Sequence, residues 1–264
     1  MSLEYNDLFL GSVDKIKTAI ERIRHFEPKE GYCLAFSGGK DSIVVKKLME
    51  LSGVKYETHF SITTVDPPEL TSYIKKYYPD VIFDRPKYNM KQLIVMKMYP
   101  PTRLARYCCE WLKEGKQSTS KCGSNTFTIT GVRWAESFKR SKRKMFEFCL
   151  KDKSKKYLHP IIDWTDLEVW EFIKKFKLPY CELYDRGFKR IGCIGCPMST
   201  HQKSELEQYP KIKNMYLSAF KEMLKERDKN GLGKLIFGKN EHTVMDWWID
   251  YRPIDNPDQT ILFE

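Results

Sequence analysis

The chain has 264 residues, 41% of them hydrophobic and 31% charged, and carries 46 lysines and arginines against 35 acids, a formal charge of +11. That length can bury a full core, as one large domain or as one domain with an appendage, and the basic balance favours polyanionic partners. The absence of an apolar run of bilayer length and of a signal-peptide pattern argues against a membrane or secreted protein, so a cytoplasmic setting is expected.

In chain order, Val13, Ile16, Ile20 and Ile23 recur at helical spacing and predict an amphipathic helix over about 12–25. Tyr32-Cys33-Leu34-Ala35-Phe36 reads as a buried strand, followed by Ser37-Gly38-Gly39-Lys40-Asp41-Ser42 and a helix through Ile43 to Leu51 that stops at Gly53. Alternation of Val54, Tyr56, Thr58 and Phe60 predicts a second strand, running into Asp66-Pro67-Pro68, with Pro68 suited to the first turn of the next helix. Val81-Ile82-Phe83 is a short third strand, and a helix is expected over Met90 to Tyr99. A loop carries Cys108-Cys109, and Thr126 to Thr130 forms a strand leading into Gly131-Val132-Arg133.

A strongly basic segment precedes a last strand at Tyr157 to Ile161. Thr165 then caps a helix, with Glu168 as its capping-box partner. Beyond Pro197 the pattern is helical, over about 205–227 and 241–251. Strands alternating with helices indicate an α/β fold: a twisted, mostly parallel sheet with helices on both faces, plus a C-terminal helical extension. The expected division is a catalytic domain over 1–200 and the extension over 201–264, which could cover the fold or pair two subunits as a homodimer. Ligands in such sheets sit at the carboxyl ends of strands, where Ser37 to Ser42, Asp66 and Gly131 to Arg133 would converge.

The hexapeptide Ser37 to Ser42 reads as a pyrophosphate cradle. Paired glycines let the backbone approach a ligand and turn several N–H groups one way, and a helix start favours an anion. Lys40 adds a full charge, and the Ser37 and Ser42 hydroxyls can donate to phosphate oxygens. It is not the Walker loop, which is longer and places a hydroxyl directly after its lysine; here Asp41 follows Lys40.

Of the eight cysteines, two pairs stand out: Cys108-Cys109, and Cys193-Ile194-Gly195-Cys196. The C-x-x-C spacing suits two thiolates turned toward one metal centre, and an adjacent pair is awkward for tetrahedral zinc. An iron–sulfur cluster, a zinc ion and plain buried thiols all remain open on these residues. Cys33 reads as core, and Cys122, Cys149 and Cys181 carry no assignment, although a persulfide on one of them is conceivable.

Taken together, Ser37 to Ser42, Cys108-Cys109, Gly131-Val132-Arg133 with Glu136-Ser137, Trp164 to Trp170, Leu183 to Gly187 and Ile191 to Cys196 resemble the phosphoadenosine phosphosulfate reductase-like branch of the adenine nucleotide α-hydrolase (PP-loop, HUP-like) fold. The cysteine arrangement resembles the [4Fe–4S] site of assimilatory adenylylsulfate reductases, which makes Cys108, Cys109, Cys193 and Cys196 the expected metal ligands, with zinc as the alternative. Sulfonucleotide reductases in that branch have a degenerate first loop and attack the substrate with a cysteine near the C-terminus. This chain has the intact loop, and its last cysteine is Cys196. The combination is more similar to the ATP pyrophosphatase component of DNA phosphorothioation systems and, more distantly, to iron–sulfur tRNA thiolases.

The resemblance implies ATP with Mg²⁺, adenylation of an acceptor with release of pyrophosphate, and sulfur transfer from a partner such as a cysteine desulfurase. Lys40, Asp41 and Arg133 are the expected catalytic residues, with Arg133 gripping a phosphate in bidentate fashion or forming an ion pair. Ser37, Gly38, Gly39, Lys40, Asp41, Ser42, Asp66, Gly131 and Arg133 form the expected nucleotide site. From Arg133 to Lys156 ten lysines and arginines face three acids, with Phe138, Phe146 and Phe148 interleaved. Arg140, Lys142, Arg143 and Lys144 are therefore the expected nucleic-acid contacts, with the phenylalanines stacking on bases. A sulfonucleotide reductase and a non-catalytic nucleotide-binding adaptor are the competing readings.

Overall fold

The structure is a computed structural model that describes residues 2–7, 11–113, 127–149, 153–233 and 238–250. The chain divides into two compact units: residues 1–88 with 109–193, and residues 89–108 with 194–264.

The first unit is built on a six-stranded sheet. Its strands are β3 (Tyr32–Ala35), β4 (Tyr56–Ser61), β5 (Ile82–Asp84), β6 (Phe127–Ile129), β7 (Phe146–Phe148) and β8 (Lys156–Leu158), in the order β5-β4-β3-β6-β8-β7. All pairings are parallel except β7 with β8. The chain leaves β3 toward β4 and β5, then crosses back to place β6 on the other side of β3. That reversal lies between β3 and β6, whose carboxyl ends are the expected position of a ligand crevice in an open parallel sheet. A separate hairpin pairs β1 (Glu4–Asp7) antiparallel with β2 (Gly11–Asp14) and leads into α1 (Lys15–His25). The helix expected from residue 12 therefore starts at Lys15. Asp14 ends β2 and its carboxylate accepts the amides of Ile16 and Lys17 as the N-cap.

Three helices carry the sequence signals through to structure. In α2 (Lys40–Ser52), Gly53 takes the left-handed conformation (φ 70°) that ends a helix. Pro68 opens α3 (Pro68–Tyr77), where its missing N–H costs nothing. In α7 (Asp166–Lys175) both halves of the Thr165/Glu168 capping box are formed. The sheet and helices bury one core that includes Leu34, Ile43, Val44, Leu48, Ile129, Leu158, Trp164 and Phe172. Glu168 is fully buried and pairs with Lys15 at 2.8 Å, tying α7 to the start of α1.

Two sequence expectations are corrected in this region. Cys108-Cys109 lie in a short helix, α5 (Tyr107–Leu112), and not in a loop. The basic run contains, after the short α6 (Phe138–Ser141), the edge strand β7, in which Phe146 turns inward and stacks on Phe26 at 5.0 Å. Cys33 is buried in β3 as expected, and it is disulfide-bonded. Cys122 lies outside the described residues.

The second unit is helical: α4 (Met90–Lys97), α8 (Gln202–Gln208), α9 (Pro210–Lys229) and α10 (Glu241–Asp250). α4, α8 and α10 each pack on α9. Its centre is aromatic, with Trp248 at 4.7 Å from Tyr216 and 5.4 Å from Phe220, ring centre to ring centre. The single helix expected over about 205–227 is two, broken at Tyr209-Pro210, because a proline inside a helix lacks an amide donor and clashes with the preceding turn. Among the described residues no helix is long and apolar enough to cross a membrane.

Candidate nucleotide-binding site

The site is built where β3 ends. Ala35 and Ser37 are exposed there, flanking the buried Phe36. Gly38 takes φ 69°, and a Cβ on it would come within 2.7 Å of Leu70 and 2.8 Å of Ile74. Only glycine can make this bend against α3. Gly39 is the N-cap of α2 with extended backbone, so the amides of Gly39 and Lys40 stand at a helix start. Both are held by side-chain oxygens. The Gly39 N–H donates to Ser37 Oγ at 3.3 Å, and the Lys40 N–H donates to the Tyr184 hydroxyl at 2.8 Å. A Cβ on Gly39 would meet those same two oxygens at 3.3 Å each. The two oxygens occupy positions that phosphate oxygens could take, which is the fit expected of an anion cradle.

The charged side chains around the bend are interlocked. The Lys40 ammonium is buried, donates to the Lys189 carbonyl at 3.2 Å and lies 3.6 Å from Asp166. Ser42 Oγ donates to the Gly39 carbonyl at 2.8 Å and so closes the first turn from within. Asp41 accepts Arg133 Nε at 2.7 Å. Burial holds the Asp41 carboxyl above its ordinary range, although Arg133 and Lys40 pull the other way. Burial also opposes ionisation of Asp166, but the hydrogen bond from Arg133 and the charges of Lys40 and Arg133 outweigh it and hold that carboxyl low.

For Arg133 the structure shows the ion pair, one of the two expectations for it. It does reach the crevice, as expected, but only 1% of it is exposed. Its guanidinium donates to Asp41, to Asp166 at 2.5 Å and to the Trp164 carbonyl at 3.1 Å, while its backbone N–H donates to Glu136. It fastens the end of β6 to the starts of α2 and α7, and its fork is not turned to solvent for a phosphate. Gly131 allows this closeness, since a Cβ there would stand 2.8 Å from the Asp41 carbonyl carbon. Asp66 is likewise committed: its two oxygens accept the Thr63 N–H and hydroxyl, each at 2.7 Å, and shape the turn after β4.

Tyr184 and Asp166 fall within motifs noted in the sequence, yet nothing local marks them as partners of Lys40, 144 and 126 positions away. A second polar chain was not foreseen. Thr130 Oγ1 is 2.7 Å from His159 Nδ1, and His159 Nε2 is 3.4 Å from Glu147. His159 is fully buried, and burial, with the charge of Arg143 beside it, holds its imidazole below the usual histidine range.

Of the four cluster cysteines, Cys109 and Cys193 belong to the first unit and Cys108 and Cys196 to the second. The charge of Cys193 and, less strongly, that of Cys109 hold the Lys113 ammonium above its ordinary range, against burial. Cys193 also lies 3.4 Å from Thr63 Oγ1. Among the described residues no group of three or more histidine, cysteine, aspartate or glutamate side chains is arranged to hold a metal ion.

The basic residues after Arg133 divide in two. Arg140 pairs with Glu136 and Arg143 with Glu147. Lys139, Lys142 and Lys144 are exposed and pair with no carboxylate among the described residues.

Residues 31–199 match the phosphoadenosine phosphosulfate reductase domain family. An uncharacterized protein of Methanocaldococcus jannaschii is 28% identical over 207 residues, 74% of this chain and 49% of its own length. An adenosine 5'-phosphosulfate reductase of Oceanobacillus iheyensis is 36% identical over 100 residues, 37% of this chain and 40% of its own length. The chain thus spans about half or less of the length of these curated relatives. Among solved structures, the phosphoadenylyl-sulfate reductase of Candida auris in a phosphate complex aligns with a TM-score of 0.49 and 17% identity, over 67% of this chain and 88% of that one.

Proposed function

The chain belongs to the phosphoadenosine phosphosulfate reductase domain family, and from that premise we propose that it is an ATP pyrophosphatase. It adenylates an acceptor for sulfur incorporation, with nucleic acid as the acceptor, as in DNA phosphorothioation. The observation that carries this reading is the bend at Gly38-Gly39: two amides at a helix start, held by the replaceable oxygens of Ser37 and Tyr184, beside the buried Lys40 ammonium. A cradle of amides plus one lysine suits the β- and γ-phosphates that must leave together.

In the first step an acceptor oxygen forms a bond to the α-phosphorus, and the bond to the β-phosphate bridging oxygen breaks with its electron pair going to pyrophosphate. Lys40 and the loop amides stabilise the charge that develops on that leaving group. Arg133 keeps Asp41 and Asp166 placed and so fixes the start of α2. Mg²⁺, when bound, would neutralise further phosphate charge, and Asp166, whose carboxylate is 67% exposed, is the open oxygen donor beside Lys40. In the second step the outer sulfur of the persulfide of a partner cysteine desulfurase bonds to the activated centre as the bond to the AMP oxygen breaks, and an external thiol then cleaves the acceptor–S–S–cysteine disulfide so formed and leaves sulfur on the acceptor. Cysteines 108, 109, 193 and 196 are proposed as ligands of a [4Fe–4S] cluster, with zinc as the alternative; no step above depends on it. The proposed setting is the cytoplasm.

Incubation with ATP, Mg²⁺ and candidate acceptors should release pyrophosphate, and Lys40→Ala should abolish the release while the protein stays folded. Anaerobic purification with assays for iron, acid-labile sulfide and zinc tests the ligand set. The reductase named among the relatives supports a second reading, reduction of a sulfonucleotide. Sulfite release from adenylylsulfate with thioredoxin or glutathione, without ATP cleavage, would select that reading over the first.

A further inference from the structure

Arg133 and Asp166 are ion-paired, and the residue after each is a large apolar side chain left in solvent: Trp134 is 43% exposed and Leu167 73%. Four residues beyond Trp134, Phe138 is 76% exposed, the second most exposed large apolar side chain among the described residues. Trp134 and Leu167 thus directly follow two residues of the nucleotide-binding site, which puts them at its rim, and Phe138 follows one turn on. An apolar rim of this kind on an otherwise charged surface marks a contact site.

The chemistry of the rim narrows its partner. The Lys142 ammonium sits 4.5 Å from the centre of the Phe138 ring, placing a cation on an aromatic face. The Trp134 indole N–H donates to the Arg143 carbonyl at 2.7 Å, which fixes the orientation of that ring. Arg140 and Arg143 are neutralised by Glu136 and Glu147, so the positive charge of the patch comes from Lys139, Lys142 and Lys144. Exposed rings with lysines following Phe138 along the chain, one of them against its ring, suit a ligand that combines flat apolar faces with anionic links. A duplex hides its base faces in the stack, whereas a single strand offers them.

We infer that Trp134, Phe138 and Lys142 form a stacking platform for single-stranded nucleic acid at the rim of the nucleotide site. Unpaired bases lie on the two rings, and Lys139, Lys142 and Lys144 follow the backbone. Phe146, packed against Phe26, and Arg140 and Arg143, held by glutamates, are outside the platform. The inference rests on the proposal that nucleic acid is the acceptor and specifies the form in which it binds.

The test is fluorescence anisotropy of the full chain with labelled single-stranded DNA, single-stranded RNA of the same sequence, and the DNA duplex, without ATP. At least one single strand should bind more tightly than the duplex. Phe138→Ala should weaken single-strand binding about tenfold and leave duplex binding nearly unchanged. Lys142→Ala should reduce the slope of log affinity against log salt by about 0.7 on single strands. Because both side chains are exposed, the variants should keep the parental melting temperature. An unchanged single-strand affinity in Phe138→Ala, or an equal loss on duplex, would overturn the platform. Failure of the parent chain to bind any oligonucleotide would also overturn it. Pyrophosphate release with a small-molecule acceptor would then show that the ATP chemistry stands without it.

Discussion

The Tyr184 hydroxyl accepts the backbone N–H of Lys40 at 2.8 Å and so closes the start of α2 with an oxygen from a distant turn. The ring is held in place edge-on against Trp170, with centres 5.2 Å apart. A bound phosphate oxygen would compete with this hydroxyl for the same amide. In Tyr184→Phe the amide loses its partner in the free protein and becomes available to ligand. The unliganded variant should lose about 1 kcal/mol of stability, the usual net worth of such a hydrogen bond. Its affinity for pyrophosphate should hold or rise, because no hydroxyl has to be displaced. Denaturant melts and pyrophosphate titration calorimetry check the two halves; a fall in affinity would mean that Tyr184 binds the ligand directly.

Arg133 separates a structural role from a ligand-binding one. Its guanidinium is buried between Asp41 and Asp166, so Arg133→Ala leaves those carboxylates without their counter-charge. Removing one member of a buried ion pair costs about 3–5 kcal/mol, although the exposure of Asp166 places this site toward the low end. Arg133→Lys should recover part of the loss only, since an ammonium cannot reach two carboxylates and the Trp164 carbonyl as the planar fork does. Urea unfolding midpoints should follow this order. Parental stability in Arg133→Ala with a raised KM for ATP would instead identify a phosphate contact.

Much of the fold was legible because its signals are local. Gly53 ends α2, Pro68 opens α3 and Thr165 with Glu168 caps α7, each through atoms within a few residues. The carboxyl-end crevice followed from strand–helix alternation. β7 was hidden because an edge strand of three residues inside a basic run has neither the length nor the alternation that marks a half-buried strand. The site was legible in position and not in partnership. Ser37 to Ser42 announced an anion cradle, whereas the oxygens on its amides and the carboxylates on Arg133 come from side chains that only the folded sheet brings near. For Arg133 a phosphate grip and an ion pair both stayed open, because sequence shows a charge at a strand end and not the carboxylates that surround it.

His159 makes stability depend on pH. Its folded imidazole titrates below the ordinary value near 6.5, so the buried ring is neutral when an unfolded histidine would be protonated. A group with a depressed folded pKa contributes stability that is present above its unfolded value and lost as pH falls through the folded one. Burial and the charges of Arg143 and Arg140 act in this direction, while Glu147 opposes them. Melting temperature should therefore fall as pH drops below about 6.5. His159→Gln keeps polar partners for Thr130 and Glu147 and removes the titration, so its pH profile should be flatter there. An equal slope in both proteins would assign the effect elsewhere.

Gly131 tests whether the crevice must be this narrow. Any side chain there would start 2.8 Å from the backbone of Asp41, closer than real Cβ contacts come, and the obstacle is a helix start that cannot rotate aside. Gly131→Ala should push the end of β6 away from α2 and lengthen the Arg133–Asp41 contact. Overpacking of this kind costs about 1–3 kcal/mol. The same displacement moves the first turn of α2, which holds Lys40 and the amides of the cradle, so affinity for ATP should fall with stability. Gly53→Ala gives the contrast: nothing stands within 4 Å of a Cβ there, and only the left-handed backbone is strained. That variant should lose stability, by about 1 kcal/mol, and keep its affinity for ATP. Unfolding midpoints and ATP titrations on both variants settle the matter, and equal ATP affinities in the two would mean that the cradle does not depend on the closeness of β6 to α2.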